Sequence, residues 1–419
     1  MLLASTTALA VLFYIVSLSC GIKLTLKAAK ARPEIKERST NESRECKFTI
    51  VVPALREQSV IVSTVDHLLR MRYRDGLFRI VVACHHSESG PNSTAALVRQ
   101  HFGHKANGVP SVTVFEYPGN KTKRSAQINY ALLGIDAPQL EDGQRHIISV
   151  FDADSMPDLE SLSDVNRLFT TFDGVQAVQQ ASIYLLNTDE LKRQPFLLAN
   201  AIIQTLWCYS FELPLLIRAS QAAARGKEIA FPPYGLGHGM HIDLRTLKRI
   251  GGFPEDGNCD GIQLGFLLAS EGTPLFPSFV PDHCQSPSSL AVVFHQHSFW
   301  FSGNLEFFKL WKRGRIKTKS AAILNHVLLN VRWLLLPALA ILPALALGWA
   351  YLVIVYAVFW AYYAFSFRTV RRASHGSIPE ATFAALALLP AAAAFKSLGA
   401  MFGLITIMKG DTTYRKVER

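Results

Sequence analysis

Asp152 and Asp154 stand one residue apart in SVFDADSMPD, directly after the apolar residues Ile147, Ile148, Val150 and Phe151. Alternate residues of a strand face one side, so a strand running on to 154 would aim both carboxylates at one spot. Two like charges there repel unless a cation sits with them. A hard divalent ion with oxygen ligands does this, and Mg²⁺ commonly bridges one or two carboxylates to substrate phosphates. The chemistry suggested is a metal-bridged phosphate on a nucleotide-linked substrate. A D-x-D triplet is short enough to arise by chance, and Asp and Pro are also frequent in solvated turns.

Such a pair needs a frame. Residues 47–52 (KFTIVV), 79–83 (RIVVA), 111–116 (SVTVFE) and 147–151 read as strands. Between them lie a helical pattern with Ile61, Val65, Leu68 and Leu69, a helix near 93–102 and another over 123–134. Strands alternating with helices predict an α/β fold whose mostly parallel sheet is covered on both faces. In such sheets ligands sit at the C-terminal strand ends. Residues 53–57, 84–89, 117–123 and 152–154 stand there, so four polar loops converge on one edge.

The chain has 419 residues, 49% hydrophobic, with a formal net charge of +11, and its apolar residues are unevenly spread. Residues 2–22 carry no charge, and Lys23, Lys27, Lys30 and Arg32 follow. That pattern predicts a transmembrane helix over 1–24 with the chain from 23 onward on the cytoplasmic side. No basic stretch precedes the apolar run, which argues against a cleaved signal peptide. Residues 333–366 are too long for one crossing, and Pro337, Pro343 and Gly348 allow two with a turn near 347. Arg368, Arg371 and Arg372 mark a cytoplasmic return. Residues 381–408, broken by Pro390 and Lys396, either cross or lie in the interface, so the C-terminal region 325–408 holds two or three transmembrane helices. Segments 192–225 and 304–320 read as amphipathic interface helices, with an ordinary core helix as the alternative for the first. The expected location is a plasma or inner membrane, multi-pass, with the central domain 45–303 cytoplasmic. Six cysteines without metal-like spacing suit free thiols in a reducing compartment. The basic balance fits membrane lipids and phosphate ligands and gives no ground for a nucleic-acid partner.

The segments VVPALRE (51–57), RSAQINYAL (124–132), FDADSMPD (151–158), GHGMHIDLRTLKRIGGF (237–253), DGIQLGFLLASEG (260–272) and QHSFW (296–300) occur in that order. The series resembles the family 2 glycosyltransferases, in particular the membrane-embedded cellulose, chitin and hyaluronan synthase type. The resemblance covers roughly residues 47–303. It implies a GT-A fold, a nucleotide-sugar donor of the UDP-sugar kind, and inverting displacement at the anomeric carbon. It also implies a saccharide or lipid-linked acceptor, polysaccharide synthesis being one outcome. By position, Pro53 and Glu57 belong to the loop holding the nucleoside. Arg124 takes the place of a lysine near the diphosphate, with Asn129 at the family spacing. Asp152 stands by the ribose and donor, and Asp154 binds Mg²⁺ or Mn²⁺. Gly237 and His238 lie in the acceptor-site loop, and Gln296 and Trp300 match the Q-x-x-R-W motif over the donor.

Three departures bear on mechanism. The acidic residue that reads the base at the end of the second strand is absent from CHHSES (84–89), leaving His85, His86 or Glu88. The family's Glu-Asp pair falls on Asp260-Gly261, so the usual catalytic position is a glycine, and Asp260 is the expected base ahead of Glu255 or Asp256. The arginine of Q-x-x-R-W is Phe299. His295, His297 or basic residues after Lys309 would then have to compensate. The alternatives are a single-transfer glycolipid enzyme and a non-catalytic scaffold that binds its ligand without turnover. A glycosidase would need carboxylates flanking the bond on separate sides and would gain nothing from phosphate-type loops.

Overall fold

The computed structural model describes residues 15, 16, 18–31, 45–105, 110–135, 140–257, 259–318, 320–374 and 377–409. Most of the expected 1–24 helix therefore lies outside the described residues. Its described end continues as a helix over 18–31.

Four strands in the first part of the chain are β1 (Lys47–Pro53), β2 (Phe78–His85), β3 (Val112–Tyr117) and β4 (His146–Val150). They pair in parallel in the order β3-β2-β1-β4. The helices Ile61–Leu69, Thr94–Phe102 and Arg124–Gly134 connect or follow them. The near-continuous apolar strands follow from burial on both faces. Phe48, Ile50 and Val52 enter one core with Ile80 and Val82, while Val51 enters the other with Val81 and Ala83.

The sheet then continues with strands that the sequence pattern does not announce. These are β5 (Met156–Pro157), β6 (Ala177–Ile183), β7 (Met240–Asp243) and β8 (Phe276–His283). The full order is β3-β2-β1-β4-β7-β6-β8-β5, with β7 antiparallel to both neighbours and β6 parallel to β8. This is the mostly parallel GT-A arrangement expected.

Residues 192–225 form a helix pair packed into the protein. Helices Pro195–Trp207 and Leu213–Ala223 are joined by a π-helical turn, Cys208–Glu212. Every residue from 197 to 206 is buried, between β6 and the apolar helices of the C-terminal region. The segment expected at 304–320 begins inside one long helix, Leu290–Lys312, which also carries 296–300.

Helices Ser320–Leu347 and Trp349–Ala373 break at Gly348, in the left-handed region (φ +73°), as the turn near 347 predicts. Leu389–Met408 follows. Pro195–Ala223, Trp349–Ala373 and Leu389–Met408 are long and apolar enough to cross a membrane. Only 11% of the Trp349–Ala373 window is buried by protein, and Trp349, Val353 and Ile354 stand exposed. An apolar face of this extent needs lipid or another partner over it.

Leu389–Met408 is locked to Leu290–Lys312 by close approach. A Cβ at Gly399 would lie 2.7 Å from the Phe294 carbonyl oxygen, and one at Gly403 2.6 Å from that of Ser298. The last apolar helix thus grips the helix bearing Gln296 and Trp300.

Candidate active site

A cavity of about 360 Å³ opens at the C-terminal end of β4 and continues among the apolar helices. Arg124, Asp152, Gly237, His238, Asp260, Gln296 and Trp300 all line it. Residues spread over some 180 positions are therefore brought together, roughly as the motif order requires.

Arg124 is the hub. It opens helix Arg124–Gly134, and its Nη1 donates to Asp152 Oδ1 at 2.8 Å. Its Nη2 donates to the Gly237 carbonyl, and its Nε faces Asp260 Oδ2 at 3.7 Å. Gly237 adopts φ +91°, and a Cβ there would lie 3.1 Å from Arg124 Nη1, so the loop can approach the guanidinium only as glycine.

Asp260 is the first residue of helix Asp260–Ser270, with its side chain 14% exposed. Burial holds its carboxyl above the ordinary value, opposed by the Arg124 charge. The neighbouring Gly261 is sterically required. A Cβ at 261 would lie 2.4 Å from both Gly237 Cα and Gly237 N, and one at 265 would lie 2.4 Å from Gly235 N. Gly261 and Gly265 fall on one helix face, so the 234–237 backbone lies directly against this helix. The rival carboxylates are engaged elsewhere. Glu255 accepts from Asn129 and pairs with Lys121, and Asp256 pairs with Arg313 at 3.0 Å.

The aspartate turn departs from the strand argument. β4 ends at Val150, and residues 152–155 turn, with the Ser155 amide donating to the Asp152 carbonyl at 3.0 Å. Asp152 reaches the cavity, whereas Asp154 is 5% exposed and lies outside the cavity lining. The two carboxylates do not project side by side, because the chain has left the extended conformation.

The structure adds a group that the motifs did not single out. Asp282, near the end of β8, is fully buried and accepts from Ser155 Oγ at 2.9 Å. Its Oδ2 also pairs with His238 Nδ1 at 2.8 Å. Ser155 Oγ in turn accepts from the Asp152 amide at 3.1 Å. Burial alone would lower the His238 pKa, but Asp282, through its hydrogen bond and charge, raises it above the ordinary value. The chain links the aspartate turn to the 237–238 loop. Cys284 Sγ also lies near His238, and the three residues bring possible metal-ligating atoms within 4.8 Å of one another. The only sequence signal was an Asp-His pair in FVPDHC, at the end of a strand the pattern did not reveal.

Four expected residues stand apart from the cavity. Pro53 ends β1 and Glu57 lies in the loop after it, where its amide donates to Thr94 Oγ1 at 3.1 Å. Asn129 holds the 253–255 loop, donating to the Phe253 carbonyl and accepting from its amide. Asp154 is the fourth. Glu88, one stand-in for the missing base-reading acid, is drawn into the frame. It accepts from the Arg56 amide, from Gln58, and from both the amide and hydroxyl of Thr94. Glu88→Ala is expected to destabilise the protein by about 1–3 kcal/mol, since it orphans several donors at once, measured by chemical denaturation. His85 keeps a buried Nε2 without a hydrogen-bond partner among the described residues.

At position 299 a phenylalanine lines the cavity. His295 and His297 do not line it, nor do the basic residues 309–317. The cations that do are Lys123, Arg124, Arg332 and Lys396.

The family model described as Glycosyltransferase like family 2 matches residues 45–303. A search of curated proteins gives no match. Among solved structures, the mannosyltransferase PcManGT from Pyrobaculum calidifontis, in complex with GDP-Man and Mn²⁺, has a TM-score of 0.51 at 15% identity. The match covers 96% of this chain and 99% of that one. Glucosyl-3-phosphoglycerate synthase from Mycobacterium tuberculosis has a TM-score of 0.38 at 16% identity, over 62% of this chain and 80% of that one. The first likeness is one of fold.

Proposed function

The chain belongs to the family described as Glycosyltransferase like family 2, and from that premise we propose that it moves a sugar from a cytoplasmic nucleotide-sugar, of the UDP-sugar kind, onto a saccharide or lipid-linked acceptor at the membrane face. One observation carries the reading: Arg124, Asp152 and Asp260 meet in a cavity that continues among the apolar helices.

In this reading the donor diphosphate draws Arg124 away from the two carboxylates. Asp260 is then an unpaired base within reach of an acceptor hydroxyl. The hydroxyl attacks the anomeric carbon with inversion, Asp260 accepts its proton, and the nucleoside diphosphate leaves. Gln296 and Trp300 border the donor, and Gly237 and His238 the acceptor. Pro53, Glu57 and Asn129 support the nucleoside and diphosphate loops from behind.

Asp152 is the carboxylate of the turn that reaches the cavity, and Mg²⁺ or Mn²⁺ would be held there, with Asp154 as a ligand once its buried side chain turns toward the donor. The donor set suits such ions, which take carboxylate oxygens and keep positions for phosphate and water. When bound, the ion offsets charge on the departing diphosphate. The apolar helices support a multi-pass chain in a membrane. The arginines at 368, 371 and 372, with Lys23, Lys27 and Lys30, favour a cytoplasmic catalytic domain.

The test offers purified full-length protein a panel of nucleotide sugars with Mg²⁺ or Mn²⁺ and follows nucleoside diphosphate release. Release from one donor, lost on chelation, is expected. Absence of release from every donor would leave only the non-catalytic scaffold. Product length then separates a single added sugar from a ladder.

A further inference from the structure

We propose that the membrane-side arm of the cavity holds its acceptor by a phosphate group, bound between Lys396 and Arg332. The proposal rests on the glycosyltransferase reading above and names the acceptor's chemical class.

Lys396 lies in the middle of helix Leu389–Met408, 8% exposed, and lines the cavity. Its ammonium stands 5.0 Å from the centre of the Trp207 ring. Among the described residues it makes no hydrogen bond and no ion pair. Glu212 also lines the cavity, but its carboxylate accepts from Tyr234, whose hydroxyl in turn accepts from Trp207 Nε1. Arg332, half-buried on helix Ser320–Leu347, lines the same cavity and likewise has no hydrogen-bond or ion-pair partner among the described residues.

A buried ammonium is costly to keep charged, and the Glu212 charge that acts on Lys396 is already engaged by the Tyr234 hydroxyl. The cation–π contact with Trp207 offsets only part of that cost. Two cations against one engaged carboxylate leave the arm net positive in apolar surroundings, where an anion is strongly attracted. The arm's other walls are Trp333, Phe359, Tyr362 and Tyr363, which suit a hydrocarbon chain or the faces of sugar rings. Lys396 is not loosely placed, since the Gly399 and Gly403 contacts fix its helix against the helix of Gln296 and Trp300. A phosphate so held would set the acceptor's reactive hydroxyl toward Asp260 at the other end of the same cavity.

The phosphate could belong to a lipid or to a soluble sugar phosphate, and binding assays separate them. Full-length protein in phosphatidylcholine nanodiscs is titrated with farnesyl phosphate, farnesol, glucose 1-phosphate and glucose, read by tryptophan fluorescence. The expected result is at least tenfold tighter binding of farnesyl phosphate than of farnesol. Lys396→Met and Arg332→Gln should each remove most of that preference, and Lys396→Arg should keep it. A preference confined to glucose 1-phosphate over glucose would assign the group to a soluble acceptor. Equal binding of phosphates and alcohols would overturn the proposal. So would a Lys396→Met variant that is monodisperse, keeps the phosphate preference and instead loses affinity for the nucleoside diphosphate. Donor turnover by the wild-type protein is measured separately, so either failure leaves the glycosyltransferase reading standing. Conversely, a phosphate preference without turnover of any donor would count against that reading alone.

Discussion

Asp260→Asn is expected to lower kcat by about 10²–10⁴-fold, the range of a lost general base, with the donor KM changed only slightly. The asparagine keeps the size of the side chain and its place at the start of helix Asp260–Ser270 but cannot accept the proton. The pH profile is a second readout. Because burial holds the Asp260 carboxyl above the usual range, activity should fall on acidification at a pH higher than an exposed aspartate would give. That limb should disappear from whatever activity Asp260→Asn retains. Restoring an aspartate at the family position should fail: Gly261→Asp must force a Cβ to within 2.4 Å of the Gly237 backbone. The helix and loop would have to part, and the double change Asp260→Gly with Gly261→Asp should not recover turnover. Full activity in Asp260→Asn would move the base elsewhere, with His238 the next group on the cavity wall.

The substitution at 261 shows what the sequence could and could not tell. Read alone, a glycine in a catalytic position suggests lost function. In the structure it belongs to a Gly261–Gly265 face on which the 234–237 backbone rests, and Asp260 is carried to Arg124 by the same helix. No local pattern announces such a contact, because its two sides are far apart in sequence. The first four strands were legible because burial on both faces makes them continuous apolar runs. β6 and β8 were not, since Gln179, Gln180, Ser182, Ser278 and Asp282 interrupt them with polar residues that the fold buries. Gln180 is satisfied by the distant His241 and Ser161, and Asp282 Oδ2 by Ser155 and His238, while Ser182 Oγ has no hydrogen-bond partner among the described residues. The apolar segment 192–225 left two readings open in the sequence, an interface pair and a core helix. Its few polar positions suit either, and helix Pro195–Trp207 packs against both β6 and the last apolar helix.

Asp154→Ala should abolish metal-dependent transfer. Several kcal/mol of charge stabilisation on the diphosphate are at stake, and about 4 kcal/mol corresponds to roughly 10³-fold in rate. The turn that carries Asp154 is held from two directions. Thr64 Oγ1 donates to the Ala153 carbonyl at 2.5 Å, and Ser155 is tied to Asp282. A turn fixed in this way sets Asp152 at the cavity before donor and ion arrive, which is what electrostatic catalysis requires. It also means that truncating Asp154 need not collapse the surroundings, so its effect can be read on a folded protein. Mn²⁺ binding followed by electron paramagnetic resonance is the direct measure, with Asp154→Asn as the variant closest in shape. Loss of both Mn²⁺ affinity and diphosphate release would assign the ion to this turn. Retained, metal-saturable turnover in Asp154→Ala would make Asp154 a buried packing residue and send the search to Asp152 with the His238–Asp282 pair. The distinction is chemical. A carboxylate turn favours a hard ion such as Mg²⁺ or Mn²⁺, whereas a site including His238 and Cys284 would favour a softer one.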